Sequence, residues 1–392
     1  PAAWAPDGVL RGSVNSLVLI ILTMLAGCSG ADGVIGSDSG ASYWTAEFVH
    51  EIGAVAEPTQ TLASVGEVVL TADGLLLVGQ PPDQQIRVYG LDGAFRWSIG
   101  ARGDGPGEIG RLTDFAVSGD TLKVVDGGNS RVTAFAVDGT FLGDDPFERV
   151  ILRTGGAASV YLPSAAPLAD GSSVSLPVLV VSAALREGAA SDDPEVIVRR
   201  LLTNGSLSDT VVAVRPGQHV ERRDGRRSLI ETEALIAADR RGRGAIVAFR
   251  APTGNPAPET FRIIRVNAAA DTVFERVFPF RPVPVPPDTL QRYLDDVPEE
   301  RRAARRALTW VPESRPPIER VVQGSDGMIW LQREPVHDMV DWWAIDPMTG
   351  DHAGTLALPL GTRIVESRGE EIVTVRTDEL DVEYLQRWRL AR

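Results

Sequence analysis

Six polar residues recur at one position of a repeated sequence pattern, and five of them are ionisable. Each lies five or six residues before a turn signal and is followed by two apolar residues, as in a strand that enters a hairpin. Carboxylates and guanidinium groups gathered at one level could pair with each other, hold a polar ligand or bind calcium through oxygen. We call them the aligned polar residues: Glu67, Asp114, Ser164, Glu233, Arg320 and Arg363.

Three interpretations of these residues stay open. The first is a set of structural ion pairs between the carboxylates and the two arginines, since buried charges are costly unless they are paired. The second is a site that binds a polar ligand or a cation. The third is a metal-dependent hydrolase or lyase, although the set contains no Asn and its two arginines would repel a cation.

The remaining sequence contains little that indicates catalysis. There is no Gly-x-Ser-x-Gly and no His-Glu-x-x-His motif, and the four histidines, His50, His219, His337 and His352, are scattered. The glycine-rich stretch 102–108 lacks the Lys-Ser/Thr of a phosphate loop, and no predicted helix follows it. We therefore predict that its glycines serve turns, and that binding is favoured over catalysis.

Short β-rich runs separated by turns organise the chain after the first 42 residues. An apolar strand follows each turn, and further strands complete four per repeat. Six four-stranded units predict an all-β fold, a six-bladed β-propeller over residues 43–392, whose central channel the aligned polar residues would line. The six turns are Asp73-Gly74, Gly119-Asp120, Asp170-Gly171, Asp239-Arg240, Asp326-Gly327 and Gly369-Glu370.

The sixth repeat ends without an outer strand, while residues 44–53 form a strand that belongs to no repeat. Pairing of these two segments would close the last blade and remove an exposed edge. We therefore predict that the strand over residues 44–53 completes the blade that ends at residue 392.

The second repeat, Val124–Leu142, resembles an NHL-type repeat, with Asp126, Asn129, Arg131 and Val132 in the expected order. The stretch 102–108 resembles the Gly-x-Gly-Pro-Gly linker found between such blades. The resemblance implies a six-bladed β-propeller lipoprotein of bacteria. From the residue types, Asp126, Asn129 and Arg131 are expected to cap turns and join blades rather than bind a ligand.

The amino-terminal segment predicts export with a lipid anchor. Residues 17–26 are apolar apart from Thr23, which is too short for a membrane span and typical of a signal-peptide core. The sequence Leu25-Ala26-Gly27-Cys28 resembles the bacterial lipobox, so residues 1–28 are expected to be a signal peptide ending at the lipidated Cys28. Residues 29–42 are rich in Gly, Ser and Asp and predict a flexible tether.

One long insertion, residues 281–317, interrupts the β pattern. Its proline-rich start is extended, Asp288 can cap a helix through Leu294, and a second helix can run from Pro298 to about Leu308. The second helix carries Arg301, Arg302, Arg305 and Arg306, which form either a solvated face or a contact with anionic lipid or an acidic partner. Trp310, Trp330, Trp342 and Trp343 are expected in blade cores rather than in a sugar-binding platform.

Composition limits the function further. With 39 basic and 53 acidic residues the net charge is −14, which disfavours nucleic-acid binding. The sequence thus predicts a monomeric, lipid-anchored propeller in the cell envelope, in the outer membrane of a Gram-negative bacterium, that binds an envelope protein, a peptide or a small polar ligand. No cofactor is expected, with calcium left open. The alternatives are the metal-dependent hydrolase or lyase and an envelope assembly factor resembling TolB.

Overall fold

The computed structural model describes part of the chain, and all of the described residues lie within Ala41–Arg392. The predictions for residues 1–28, for the tether before Ser42, and for Ser164 and Glu233 lie outside the described part. The described residues are 42–53, 61–62, 64–148, 150–154, 157–161, 173–175, 177–182, 196–201, 207–214, 222–223, 226–230, 235–238, 244–250, 260–267, 269, 271–333, 335 and 338–391.

The described residues are all-β apart from two short helices, as predicted. The first strands are β1 (Ser42–Ile52), β2 (Val68–Leu70), β3 (Leu75–Gln80), β4 (Gln85–Gly90), β5 (Phe95–Ile99), β6 (Leu112–Ser118), β7 (Thr121–Asp126), β8 (Arg131–Ala136) and β9 (Phe141–Pro146). The middle strands are β10 (Val150–Thr154), β11 (Ala157–Tyr161), β12 (Ser173–Ser175), β13 (Pro177–Ser182), β14 (Val196–Leu201), β15 (Leu207–Val214), β16 (Arg222–Arg223) and β17 (Arg226–Ser228). The last strands are β18 (Leu235–Ala238), β19 (Gly244–Phe249), β20 (Thr260–Asn267), β21 (Thr272–Pro279), β22 (Thr309–Trp310), β23 (Ile318–Gln323), β24 (Ile329–Arg333), β25 (Met339–Ile345), β26 (His352–Pro359), β27 (Thr362–Arg368), β28 (Glu371–Thr377) and β29 (Glu383–Ala391).

Most of these strands form four-stranded antiparallel sheets in chain order. Strands β2–β5, β6–β9 and β18–β21 each make one sheet, and β23–β26 make the first half of an eight-stranded sheet. Four predicted turns connect the first two strands of their sheets, with glycine in the left-handed region at Gly74, Gly119, Gly327 and Gly369. Glycine reaches positive φ without the steric cost that other residues incur.

The third repeat differs from the prediction of one four-stranded unit. Two three-stranded sheets occupy this part of the chain, β10-β11-β13 and β12-β14-β15. The apolar strand that was expected after the turn Asp170-Gly171 is divided between β12 and β13, which belong to different sheets. Pro177 begins β13, and since proline lacks an N–H group it favours the start of a strand over its interior.

The hydrophobic cores lie between neighbouring sheets. One core joins β2–β4 to β27–β29 through Val68, Leu76 and Val373, and another joins the same first sheet to the second through Leu77, Phe115 and Leu122. Similar cores join β18–β21 to β23–β25 and β23–β26 to β27–β29. The order of packed sheets is therefore fourth repeat, fifth, sixth, first, second, which brings the two ends of the described chain together.

Strand β1 makes this junction, as the sequence predicts. It pairs antiparallel with the final strand, from Thr45 opposite Ala391 to Ile52 opposite Leu385. Its first residues also pair parallel with β26, with Ser42 opposite Gly354, so that one eight-stranded sheet contains the fifth and sixth repeats. The sequence did not predict this second pairing.

Trp44 fixes the beginning of β1. Its ring is buried and meets Trp330 edge-on, with 6.0 Å between ring centroids. At Gly354 a Cβ atom would lie 2.1 Å from the Trp44 ring, so only glycine allows the strand to approach this closely.

The insertion contains helices α1 (Thr289–Asp295) and α2 (Glu299–Leu308), close to the predicted limits. The predicted cap is wrong: the Asp288 side chain makes no capping hydrogen bond and pairs with Arg292 at 3.1 Å instead. Leu294 is buried, and the four predicted core tryptophans are buried as well. No helix in the described part of the chain has the length and apolar character required to cross a bilayer.

Candidate functional site

The first strands of the repeats begin on one side of the sheets, which we call side A. Glu67, Asp114, Arg320 and Arg363 lie there, because Glu67 directly precedes β2 and the other three lie within the first three residues of β6, β23 and β27. The opposite side, side B, carries the hairpin turns at Gly74, Gly119, Gly327 and Gly369. Strand β27 contacts both β2 and β23, so Arg363 is placed between Arg320 and Glu67.

Arg320 and Arg363 are close enough to repel each other. Desolvation by the surrounding protein lowers the pKa of Arg320, and the Arg363 charge lowers it further, while Glu319 and Glu383 oppose both effects. The Arg320 side chain still reaches solvent, and it forms no ion pair with any residue that the structure describes. Two adjacent guanidinium groups, one of them accessible, can together bind an anion such as a carboxylate.

Arg363 is anchored by Glu383, a carboxylate outside the aligned polar residues. An Arg363 Nη2 donates to Glu383 Oε1 at 3.1 Å and to the Val65 carbonyl at 3.1 Å. The other Glu383 oxygen accepts a hydrogen bond from the Val65 backbone N–H. Glu383 therefore holds Arg363 at the junction of the first and sixth repeats, an arrangement that the ion-pair interpretation had assigned to Glu67, Asp114 or Glu233.

Glu67 and Asp114 are half-buried at the same level, and both have interaction partners. The Glu67 carbonyl accepts the Gly79 N–H at 2.8 Å, which fixes the chain just before β2. The apolar positions that follow the aligned polar residues are buried at Val68, Phe115 and Ile364, as the alignment predicts.

A second carboxylate, Glu366, is fully buried toward side B. It accepts hydrogen bonds from the Ser325 N–H and hydroxyl, both at 2.7 Å, and from the Leu70 N–H at 3.3 Å. It thus joins the first, fifth and sixth repeats. Because it has no exposed surface, we assign it to stability rather than to ligand binding.

Asp126, Asn129 and Arg131 also have the structural role that the sequence predicts. Burial opposes ionisation of Asp126, but N–H donors including those of Arg111 and Gly110 hold its pKa below its usual value. The Asn129 side-chain amide donates to Asp126 and to the Gly103 carbonyl, at 2.8 Å and 3.0 Å. Arg131 donates to the carbonyls of the glycine-rich stretch, so these three residues fasten that linker to the second sheet.

Within the described residues, no three or more His, Cys, Asp and Glu side chains are placed to hold a metal ion. His50 and His352 are half-buried and lie in strands β1 and β26, whereas His219 and His337 are outside the described part. Nothing in the described part of the chain therefore favours the metal-dependent alternative.

Two residues at the repeat junctions escaped the sequence analysis. Glu383 lies on the last strand, outside the column of first strands, and no pattern marks it. Glu366 had a signal: three positions after the aligned polar residues, Leu70, Val117 and Pro167 are apolar, whereas the fifth and sixth repeats carry Gln323 and Glu366.

Comparison with known proteins supports the propeller interpretation for one part of the chain. Residues 59–151 match the family model DUF5128, described as a 6-bladed beta-propeller. This match covers less than half of the chain. A search among curated proteins finds no match.

Several solved structures are similar over most of the chain at low identity. A protein from Bacteroides fragilis NCTC 9343, classed as exported, has 14% identity and a TM-score of 0.47 over 88% of this chain and 95% of its own. A DUF4221 family member from Bacteroides vulgatus has 6% identity and a TM-score of 0.49 over 90% and 100%. Virginiamycin B lyase from Staphylococcus aureus has 9% identity and a TM-score of 0.41 over 87% and 99%.

The family match covers the first two sheets, including Glu67 and Asp114. The chain is thus all-β, with a segment that resembles a six-bladed β-propeller family.

Proposed function

We propose that this chain is an exported, lipid-anchored six-bladed β-propeller that acts as a binding scaffold in the cell envelope. Cys28 would carry the lipid in the outer membrane, and residues 29–42 would form the tether. Side A would present the aligned polar residues to an envelope protein, a peptide or a small polar ligand. The protein would act as a monomer without turnover and without a required cofactor.

The observation that carries this proposal is that two like charges, Arg320 and Arg363, lie close enough on side A to repel each other. A structural ion-pair network would neutralise both arginines. Here Glu383 neutralises Arg363, while Arg320 reaches solvent beside a like charge. Charged groups with shifted pKa values cluster at functional sites, so this arrangement makes side A a candidate site at which an anionic ligand would supply the opposite charge.

Site-specific photocrosslinking in living cells tests the proposal. A photoreactive amino acid at position 319, which leaves the neighbouring Arg320 in place, is expected to form a discrete adduct with an envelope component. The same amino acid at Arg96, an exposed arginine in the first sheet near side B, serves as the matched control and is expected to form no such adduct. Equal crosslinking at both positions, or none at position 319, would refute binding on side A.

The lipid anchor requires its own test. Cys28→Ala should abolish incorporation of a labelled fatty acid and release the protein from the membrane fraction. Elemental analysis of protein lacking residues 1–28 checks the cofactor prediction, because stoichiometric calcium would show that a cation belongs to the site.

A further inference from the structure

We infer that side A binds an acidic polypeptide segment through arginines of the helical insertion together with Arg320. This inference rests on the proposed use of side A and specifies the chemistry of the partner. It starts from the position of the insertion. Strand β21 ends at Pro279 on side A, and β23 begins at Ile318 on the same side, so α1, α2 and β22 all connect side-A strand ends.

The arginines of α2 divide into two pairs with different tasks. Arg302 donates to the carbonyls of Val297 and Asp295, at 2.8 Å and 3.0 Å, and Arg306 donates to Gln291 at 3.0 Å. This pair fastens α2 to α1. Arg301 and Arg305 are exposed and form no ion pair with any residue in the described part of the chain.

Arg301 and Arg305 lie one helical turn apart, so their like charges repel on one face of α2. Leu308 follows on the same face and is 59% exposed. Glu299 and Glu300 occupy the first turn, where they complement the helix dipole. An exposed leucine beside two arginines fits a partner with both acidic and apolar side chains, and therefore a polypeptide better than an anionic polysaccharide.

A second basic element is attached to the same insertion. The hairpin β16–β17 pairs Arg222 with Arg227 and Arg223 with Arg226, and β17 continues in parallel pairing with β22, directly after α2. The topology thus joins a second arginine-rich segment to the insertion in a chain whose net charge is −14.

Binding of fluorescein-labelled deca-glutamate, measured by anisotropy with the protein from residue 29 onward, tests the inference. The double variant Arg301→Gln/Arg305→Gln should weaken binding at least tenfold, and Arg320→Gln should weaken it further. Binding should also weaken as salt rises, because salt screens exposed charges. Arg96→Gln removes an exposed arginine near side B and should leave the affinity unchanged, and thermal unfolding verifies that all variants fold.

Three outcomes would overturn the inference: no binding of deca-glutamate at low salt, equal loss of affinity in the Arg96 variant, or binding only to vesicles that contain phosphatidylglycerol. If deca-glutamate fails to bind while photocrosslinking at position 319 succeeds, side A binds a partner that is not acidic. Failure of the crosslinking would instead reject the proposed function itself.

Discussion

Replacement of Trp44 by alanine should release β1 from the fifth and sixth repeats that it joins. The ring is 8% exposed, contacts Trp330, and covers Gly354 at a distance that excludes any side chain. Truncation of a buried aromatic residue to alanine costs about 3–5 kcal/mol. If that cost falls on the opening of β1, its amides should exchange with solvent about 100-fold faster or more, since ~1.4 kcal/mol changes an equilibrium tenfold.

Hydrogen exchange followed by mass spectrometry measures this effect on peptides from β1 and β29. Tyr43→Ala is the matched control, because its neighbouring side chain is 73% exposed and its loss should change exchange little. Gly354→Ala should also speed exchange in β1, because the added methyl group would displace the Trp44 ring from the other side of the contact. Unchanged exchange in β1 for both Trp44→Ala and Gly354→Ala would show that backbone pairing alone holds the strand and that our reasoning on Trp44 is wrong.

Two further predictions concern buried polar groups. Glu366→Gln should lower the free energy of unfolding by about 1–3 kcal/mol, because the amide group would oppose N–H donors such as that of Ser325; urea denaturation with no shift in midpoint would contradict this. Burial, and then the Arg387 charge, lowers the pKa of His50 below 6.5, so the folded protein binds a proton less readily than the unfolded chain. The contribution of His50 to stability should therefore be fully present above about pH 6.5 and should be lost as the pH falls. In His50→Gln, the midpoint of urea denaturation should depend less on pH between about pH 7.5 and 5.5.

The sequence predicted the parts of the fold that follow from local patterns. Glycine turns such as Gly74 and Gly119 define hairpins because positive φ is a local requirement. The strand predicted at residues 44–53 belonged to no repeat, and the last repeat lacked an outer strand, so the two were expected to pair. The parallel pairing of Ser42 with β26 was not predictable, since it depends on how closely Trp44 approaches Gly354, two residues about 300 positions apart.

The sequence predicted where the residues of the candidate site lie, but not which residues pair with them. Alignment of the repeats placed Arg320 and Arg363 at one level because the period of the repeat fixes which residues begin the first strands. The alignment could not predict Glu383 as the partner of Arg363. The two residues lie on different strands of the sixth repeat, and an ion pair depends on the distance between their side chains. The prediction of one four-stranded unit for the third repeat was wrong for a local reason. The predicted strand is divided at Pro177, and the spacing of the turns alone does not indicate that break.

The distribution of charge explains why side A and side B should have different tasks. Side B contains Glu366, which is fully buried and satisfied by hydrogen bonds, so it stabilises the junction of three repeats and is unavailable to a ligand. On side A, Arg320 remains accessible beside Arg363, and the insertion adds Arg301 and Arg305. Acidic residues outnumber basic residues in this chain, so enough carboxylates are present to neutralise every arginine within the fold. Arg301, Arg305 and Arg320 form no ion pair with any residue in the described part of the chain, and this is what points to an acidic ligand from outside.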